Sequence, residues 1–285
     1  MMKKTLISLF LMMLSMLLLL QSCIQPEVPS DETGGPVPST PKDPVHYYEN
    51  ATYVYRSQVD EEVLLTGMSA YYLLLANKEH PVGEDYAPDS VVELTCEVYG
   101  GRTLELEART AQALYLMLNE MYADGVTDIY VTSAYRTYAY QASLYNHYLQ
   151  IESSDITDEA IAYFGKAYID SKYTANELSA LDHTDAEKVV LSYSAKPGTS
   201  EHQTGLCVDF ITSTMTGLNT TFENTDAFAW LSQNAYKFGF ILRYPKGKEG
   251  ITGYTYEPWH YRFVGREAAT DIYYGHLTLE EYLGV

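Results

Sequence analysis

Two short polar segments in the C-terminal half constrain this chain more than any other feature. The first is His202-x6-Asp209, and the second, well downstream, is Glu257-Pro-Trp-His260. The first follows a turn-forming run, Pro197-Gly198-Thr199-Ser200-Glu201-His202, and enters Leu206-Cys207-Val208-Asp209-Phe210. Period-two alternation there puts Leu206, Val208 and Phe210 on one face of a strand and Asp209 on the other. The second precedes Tyr261-Arg262-Phe263-Val264, again strand-like, so His260 enters at a strand edge with Glu257 on the loop before it. Neighbouring strands would bring the two segments together across a sheet. Two imidazoles and one carboxylate can hold zinc with a fourth position open for water, and a second carboxylate three residues before the last histidine is placed to act on that water. A lone His and Asp a few residues apart more often cap a loop or satisfy a buried donor. The pairing of two such segments is what points to metal-assisted hydrolysis.

Upstream, residues 108–124 carry Leu114, Met117, Leu118 and Met121 at helical spacing and stop at Gly125, which predicts a core-facing helix. Residues 129–134 alternate as a strand. Arg136 then falls on a strand-to-helix turn, where a guanidinium can aim its fork into a cleft, although an isolated arginine more often makes a surface salt bridge. The helix predicted over 138–150 shows Gln141, Leu144, Tyr145 and Tyr148 on one face. Beyond the site, 225–237 reads as an amphipathic helix through Phe228, Leu231 and Ala235, and 240–244 as a strand. Thr278 and Glu281 frame a short terminal helix.

Taken together, Ser200-Glu201-His202-Gln203-Thr204-Gly205 with Asp209, Glu257-Pro258-Trp259-His260, and Ser133-Ala134-Tyr135-Arg136-Thr137-Tyr138-Ala139-Tyr140-Gln141 closely resemble the zinc D-alanyl-D-alanine carboxypeptidases of the VanY type. Leu73-Leu74-Leu75-Ala76-Asn77-Lys78, followed by Tyr86-Ala87-Pro88, is similar to the start of that family's domain. The resemblance is strongest over residues 69–270 and keeps the family's motif order. It implies an α+β fold of the hedgehog and DD-peptidase kind, a small antiparallel sheet with helices packed on it and one zinc per chain in a surface cleft. It also implies zinc ligands His202, Asp209 and His260, and Glu257 as general base. Arg136, Gln141 and Ser200 would hold the substrate's terminal carboxylate and scissile carbonyl, with Arg136 also stabilising developing negative charge. The implied reaction removes the C-terminal D-alanine from peptidoglycan stem peptides. The alternatives are an L,D-carboxypeptidase, an endopeptidase cutting within the stem, and a cell-wall-binding lipoprotein without catalysis.

Composition fits one catalytic domain over residues 49–285. The chain is 285 residues long and 46% hydrophobic, and its formal charge of −20 argues against nucleic acid and against electrostatic docking on anionic lipid. At the N-terminus, Lys3 and Lys4 precede an uncharged apolar run over 5–20, short for a bilayer span and suited to a signal peptide covering 1–22. Leu20-Gln21-Ser22-Cys23 resembles a bacterial lipobox, which implies lipidation of Cys23, export and a membrane anchor. A plain secretory signal with an incidental cysteine is the alternative. Residues 23–48, rich in Pro, Ser, Thr and Gly, cannot bury a core and are expected to form a flexible tether.

The stretch 151–196 is longer than the resemblance leads one to expect, acidic, and predicted to hold three helices, with capping boxes at Thr174-x-x-Glu177 and Thr184-x-x-Glu187. A solvated decoration is the first reading of it, and a wall of the cleft the second. Cys96 and Cys207 are compatible with one disulfide in an exported protein. Cys207 shares strand parity with Asp209, and a small buried thiol there is favoured over a sulfur ligand, because a fourth protein ligand would displace the water. His46, His80, His147, His183 and His276 have no carboxylate or histidine at metal-ligand spacing in a matching context, and no role is assigned to them. Of the 28 tyrosines, most suit a half-exposed, β-rich surface, and those near Arg136 and Glu257 suit a cleft wall.

Overall fold

The computed structural model describes residues 46–64 and 70–285, all within a unit spanning Pro44–Val285. The proposed signal peptide, Cys23 and most of the tether lie outside the described residues. Strands β1 (Val91–Glu93) and β2 (Glu105–Glu107) form an antiparallel ribbon. Chain direction then reverses into helix α1 (Ala108–Ala123), whose first turn is capped by the Glu107 carboxylate accepting from the amides of Arg109 and Thr110. The expected stripe is its buried face: Leu114, Met117, Leu118 and Met121 are all inside, each worth about 1.5–3 kcal/mol relative to exposure.

Strand β3 (Tyr130–Ser133), helix α2 (Tyr138–Glu152) and strands β4 (Cys207–Ile211), β5 (Phe240–Leu242) and β6 (His260–Phe263) complete the framework. The sheet has the order β3-β4-β6-β5, with every neighbour antiparallel. Alternation sorts its faces. Val208, Phe210, Tyr261 and Phe263 join the main core with the α1 stripe, which leaves the intervening residues Cys207, Asp209, His260 and Arg262 for the other face. Those four are also buried, because that second face is covered as well.

Its cover includes the acidic stretch. Helices α3 (Asp158–Phe164), α4 (Lys166–Lys172) and α5 (His183–Tyr193) carry a small core of their own, with Ala160, Ile169, Tyr173, Leu181, Ala186 and Val189. Three helices were expected here, but neither capping box forms. Thr174–Asn176 is a single 3-10 turn that ends with Glu177 in the left-handed region, and α5 is capped one step earlier than Thr184, by the Asp182 carboxylate accepting from the Asp185 amide. Asp185 wins the remaining polar contacts. It accepts from Tyr168 and Tyr173 hydroxyls and from Lys172 and Lys188 at 2.6–2.9 Å.

Downstream, helix α6 (Asp226–Asn234) is shorter than the 225–237 expected, since Ala235–Phe238 tightens into a 3-10 turn before Gly239. Strand β5 likewise stops at Leu242, two residues short. Helix α7 (Arg266–Gly275) and the terminal helix α8 (Leu279–Leu283) follow, and the Thr278–Glu281 capping box is present as read. Cys96 and Cys207 are both free thiols, so no disulfide joins them. No helix among the described residues is long and apolar enough to cross a membrane.

Candidate active site

The antiparallel register of β4 and β6 sets Asp209 directly opposite His260. His202 arrives by a different route. It sits on the 3-10 turn Glu201–Thr204, which closes on Gly205 at φ +68, where a Cβ would lie 2.8 Å from the Pro88 ring. The turn is pinned to the strand-to-helix corner by the Arg136 amide donating to the His202 carbonyl at 3.0 Å. Glu257 to His260 is a tight turn closed by the His260 amide on the Glu257 carbonyl at 3.1 Å, with Pro258 at the position whose fixed φ favours such a turn.

These constraints give each imidazole a defined orientation. His202 Nδ1 lies 2.6 Å from the Ala134 carbonyl, so it donates there and Nε2 faces Asp209 Oδ2 at 3.1 Å. His260 is turned the other way: Nδ1 faces Asp209 Oδ1 at 3.0 Å and Glu257 Oε2 at 3.6 Å, while Nε2 faces Glu201 at 3.4 Å. All three side chains are at least nine-tenths buried. Asp209 Oδ1 is a buried oxygen without a hydrogen bond, an arrangement costly to leave unmet and natural for a metal ligand. The residues therefore fit a zinc ion held by His202 Nε2, His260 Nδ1 and Asp209. The Cys207 sulfur lies beside this set, within 4.8 Å of a nitrogen of each histidine. It is a free, buried thiol.

The electrostatics follow from the crowding. Burial raises the Asp209 carboxyl, but His202 and His260 outweigh it and hold the group well below the usual carboxylate range. Burial likewise raises the Cys207 thiol, and the same imidazoles bring it down to about 7. Glu257 goes the other way. Burial drives its carboxyl up and Asp209 adds to this against the pull of His260, leaving it at about 7.

Arg136 lies where the turn was expected to put it and is no surface salt bridge. Its Nη2 is 3.4 Å from Asp209 Oδ2, and Nε donates to Ser133 Oγ at 3.0 Å. Gln141 is fully buried beside it: its Oε1 accepts from Arg136 Nη1 at 2.9 Å and its Nε2 donates to the Ala195 carbonyl at 2.7 Å, so it holds the guanidinium in place. Ser200, also buried, lines the cleft. The cleft has a cavity of about 480 Å³ and includes Arg136, His202, Asp209, Glu257 and His260. Ile151, Glu152, Glu159 and Tyr193 line it too, so the acidic stretch is a wall of the cleft and not merely a decoration.

Sequence reasoning missed Glu201, whose neighbours in the chain drew the attention. It is 1% exposed and carries Arg243 Nε at 2.7 Å and Arg262 Nη1 at 2.8 Å on one oxygen. A signal was present, because Arg243 and Arg262 interrupt apolar strands and a charge inside a sheet needs a partner.

Fold and site together define a zinc metallopeptidase. The family model described as VanY, D-alanyl-D-alanine carboxypeptidase, matches residues 103–266. A D-alanyl-D-alanine carboxypeptidase of Enterococcus faecalis is 36% identical over 261 residues, covering 90% of this chain and 78% of that protein. Among solved structures, an LD-carboxypeptidase, LdcB, is similar with a TM-score of 0.57 at 32% identity over 74% of this chain and 84% of its own. VanYB in complex with D-alanine-D-alanine is similar with a TM-score of 0.55 at 32% identity over 75% and 98%. A vancomycin-resistance VanY D,D-pentapeptidase solved with Zn(II) gives 0.54 at 32% over 75% and 99%. The chain belongs to the VanY D-alanyl-D-alanine carboxypeptidase family.

Proposed function

We propose that this chain removes the C-terminal D-alanine from peptidoglycan stem peptides outside the cytoplasm, as a zinc-dependent D,D-carboxypeptidase tethered to the membrane by lipid on Cys23. The observation that carries the catalytic reading is the register that sets Asp209 against His260, with His202 and Glu257 aimed at the same point and Arg136 beside it.

When bound by His202, His260 and Asp209, zinc supplies a Lewis acid that polarises the scissile carbonyl and makes water nucleophilic near neutral pH. Glu257 takes the proton of the attacking water and delivers it to the leaving amine, a role for which its largely buried carboxylate, 3.6 Å from His260 Nδ1, is placed. The Arg136 guanidinium faces the negative charge that develops at the reacting carbon's oxygens and offers paired donors to a substrate carboxylate. Gln141 and Ser133 hold that guanidinium at a fixed angle through its Nη1 and Nε. Ser200 lies on the same wall to position the peptide.

The similarity to LdcB favours one second reading, cleavage of tetrapeptides at an L,D bond. Mass spectrometry of muropeptides incubated with the zinc-loaded domain separates the two. Loss of one alanine from pentapeptides supports the D,D reading, loss from tetrapeptides supports the L,D reading, and unchanged peptides would leave a binding module.

A further inference from the structure

Behind the metal-facing residues lies a closed ionic unit. The Arg243 and Arg262 side chains are 0% exposed, and both donate to Oε1 of Glu201, which is itself inside. Arg243 is held from its other side by Glu280 on α8, through Nη1 at 2.8 Å and Nη2 at 2.6 Å, and Glu280 also accepts from Asn77 at 3.1 Å. Arg262 places its remaining donors on the carbonyls of Tyr72, Leu74 and Phe263 at 2.7–3.0 Å. Every nitrogen of both guanidiniums has an acceptor, and the two carboxylates balance the two cations. With Oε1 taken by the arginines, Oε2 of Glu201 is free to face His260 Nε2 at 3.4 Å.

We infer that Glu201 is a positioning residue for the metal: it accepts the Nε2 proton of His260, and the Arg243–Arg262–Glu280 unit keeps it fixed so that His260 presents Nδ1 to zinc. The inference rests on the zinc site proposed above. A carboxylate on the far nitrogen of a ligand imidazole fixes the tautomer and raises its basicity, and losing such a partner typically costs 10- to 100-fold in metal affinity. It also gives the terminal helix α8 a task, because Glu280 reaches the metal through Arg243, Glu201 and His260 in sequence. His202 needs no such carboxylate, since the Ala134 carbonyl performs the same service for it.

Two measurements test this, and neither depends on which peptide is cut. The first is long-range ¹H–¹⁵N NMR of the imidazoles in the wild-type zinc protein. His260 should carry its proton on Nε2 with metal on Nδ1, and His202 the reverse; metal on Nε2 of His260 overturns the inference without any variant having to fold. The second is chelator competition on Glu201→Gln, where the zinc dissociation constant should rise 10- to 100-fold, with the cobalt(II) absorption spectrum altered. An unchanged constant and spectrum in the folded variant also overturn it. A wild type with the expected tautomers and zinc affinity that cleaves no stem peptide would instead sink the proposed function and leave this assignment standing.

Discussion

Replacing Glu257 by Gln isolates the chemistry from the metal. The side chain is largely buried, and its Oε2 lies 3.6 Å from His260 Nδ1, beyond direct contact with the metal-facing nitrogen but close enough to reach a water held there. Gln preserves shape and hydrogen bonding and removes only the ability to accept a proton. Loss of a general base typically lowers rate by about 10²- to 10⁴-fold. At about 1.4 kcal/mol per decade this is about 3–5 kcal/mol of transition-state stabilisation. The pentapeptide dissociation constant and the zinc content should remain near wild type. The assay is hydrolysis of a D-Ala-D-Ala-terminated pentapeptide with elemental analysis on the same preparation. A fully metallated variant turning over at the wild-type rate would falsify the general-base role. A variant that loses zinc and recovers activity when zinc is added would make Glu257 a support for His260 instead.

Further expectations follow from other parts of the molecule. Arg136→Lys should lower turnover strongly while the fold persists, since an ammonium cannot copy the paired donors held by Gln141 and Ser133, and amidating the substrate's C-terminus should abolish cleavage; equal rates on acid and amide would point to an endopeptidase. Asp185 ties the helices of the acidic stretch together. Burial raises its carboxyl, but Lys172 and the Tyr173 and Tyr168 hydroxyls outweigh this and hold it well below the usual range. A depressed carboxylate contributes stability that is present above the unfolded pKa of about 3.9 and is lost as pH falls through that value towards the folded one. The thermal midpoint should therefore fall between pH 5 and pH 3, conditions chosen around that pKa, and Asp185→Asn should start lower by about 1–3 kcal/mol and lose less on acidification. Parallel acid limbs for the two proteins would remove Asp185 from the account. Cys23→Ala should release the protein from membranes or stall its processing, and unchanged detergent-phase partitioning would sink the lipid anchor.

What the sequence disclosed follows from how local each signal is. The α1 stripe and the alternation around Asp209 and His260 are read within a few residues, and backbone geometry alone then decides which side chains share a face. The Thr278 cap is equally local. Gln141 is legible as a residue of the cleft-side helix face, but only the fold reveals its hydrogen bonds to Arg136 and to the Ala195 carbonyl. The Thr174 and Thr184 boxes fit the pattern, yet Asp182 caps α5 and Tyr173 and Asp185 bond each other, a competition that no window of sequence displays. Glu201 was hardest to see. Its arginine partners lie 42 and 61 residues away, and its contact with His260 depends on the whole sheet being assembled.

The central claim, a single zinc site that cleaves a D-alanyl-D-alanine terminus, is tested most directly by titrating zinc into metal-free protein while following D-alanine release from a pentapeptide. Activity should be absent before zinc, rise linearly, and level off at about one equivalent, as a three-ligand catalytic site requires. Full D-alanine release from rigorously metal-free protein, or none at any zinc level, would contradict it.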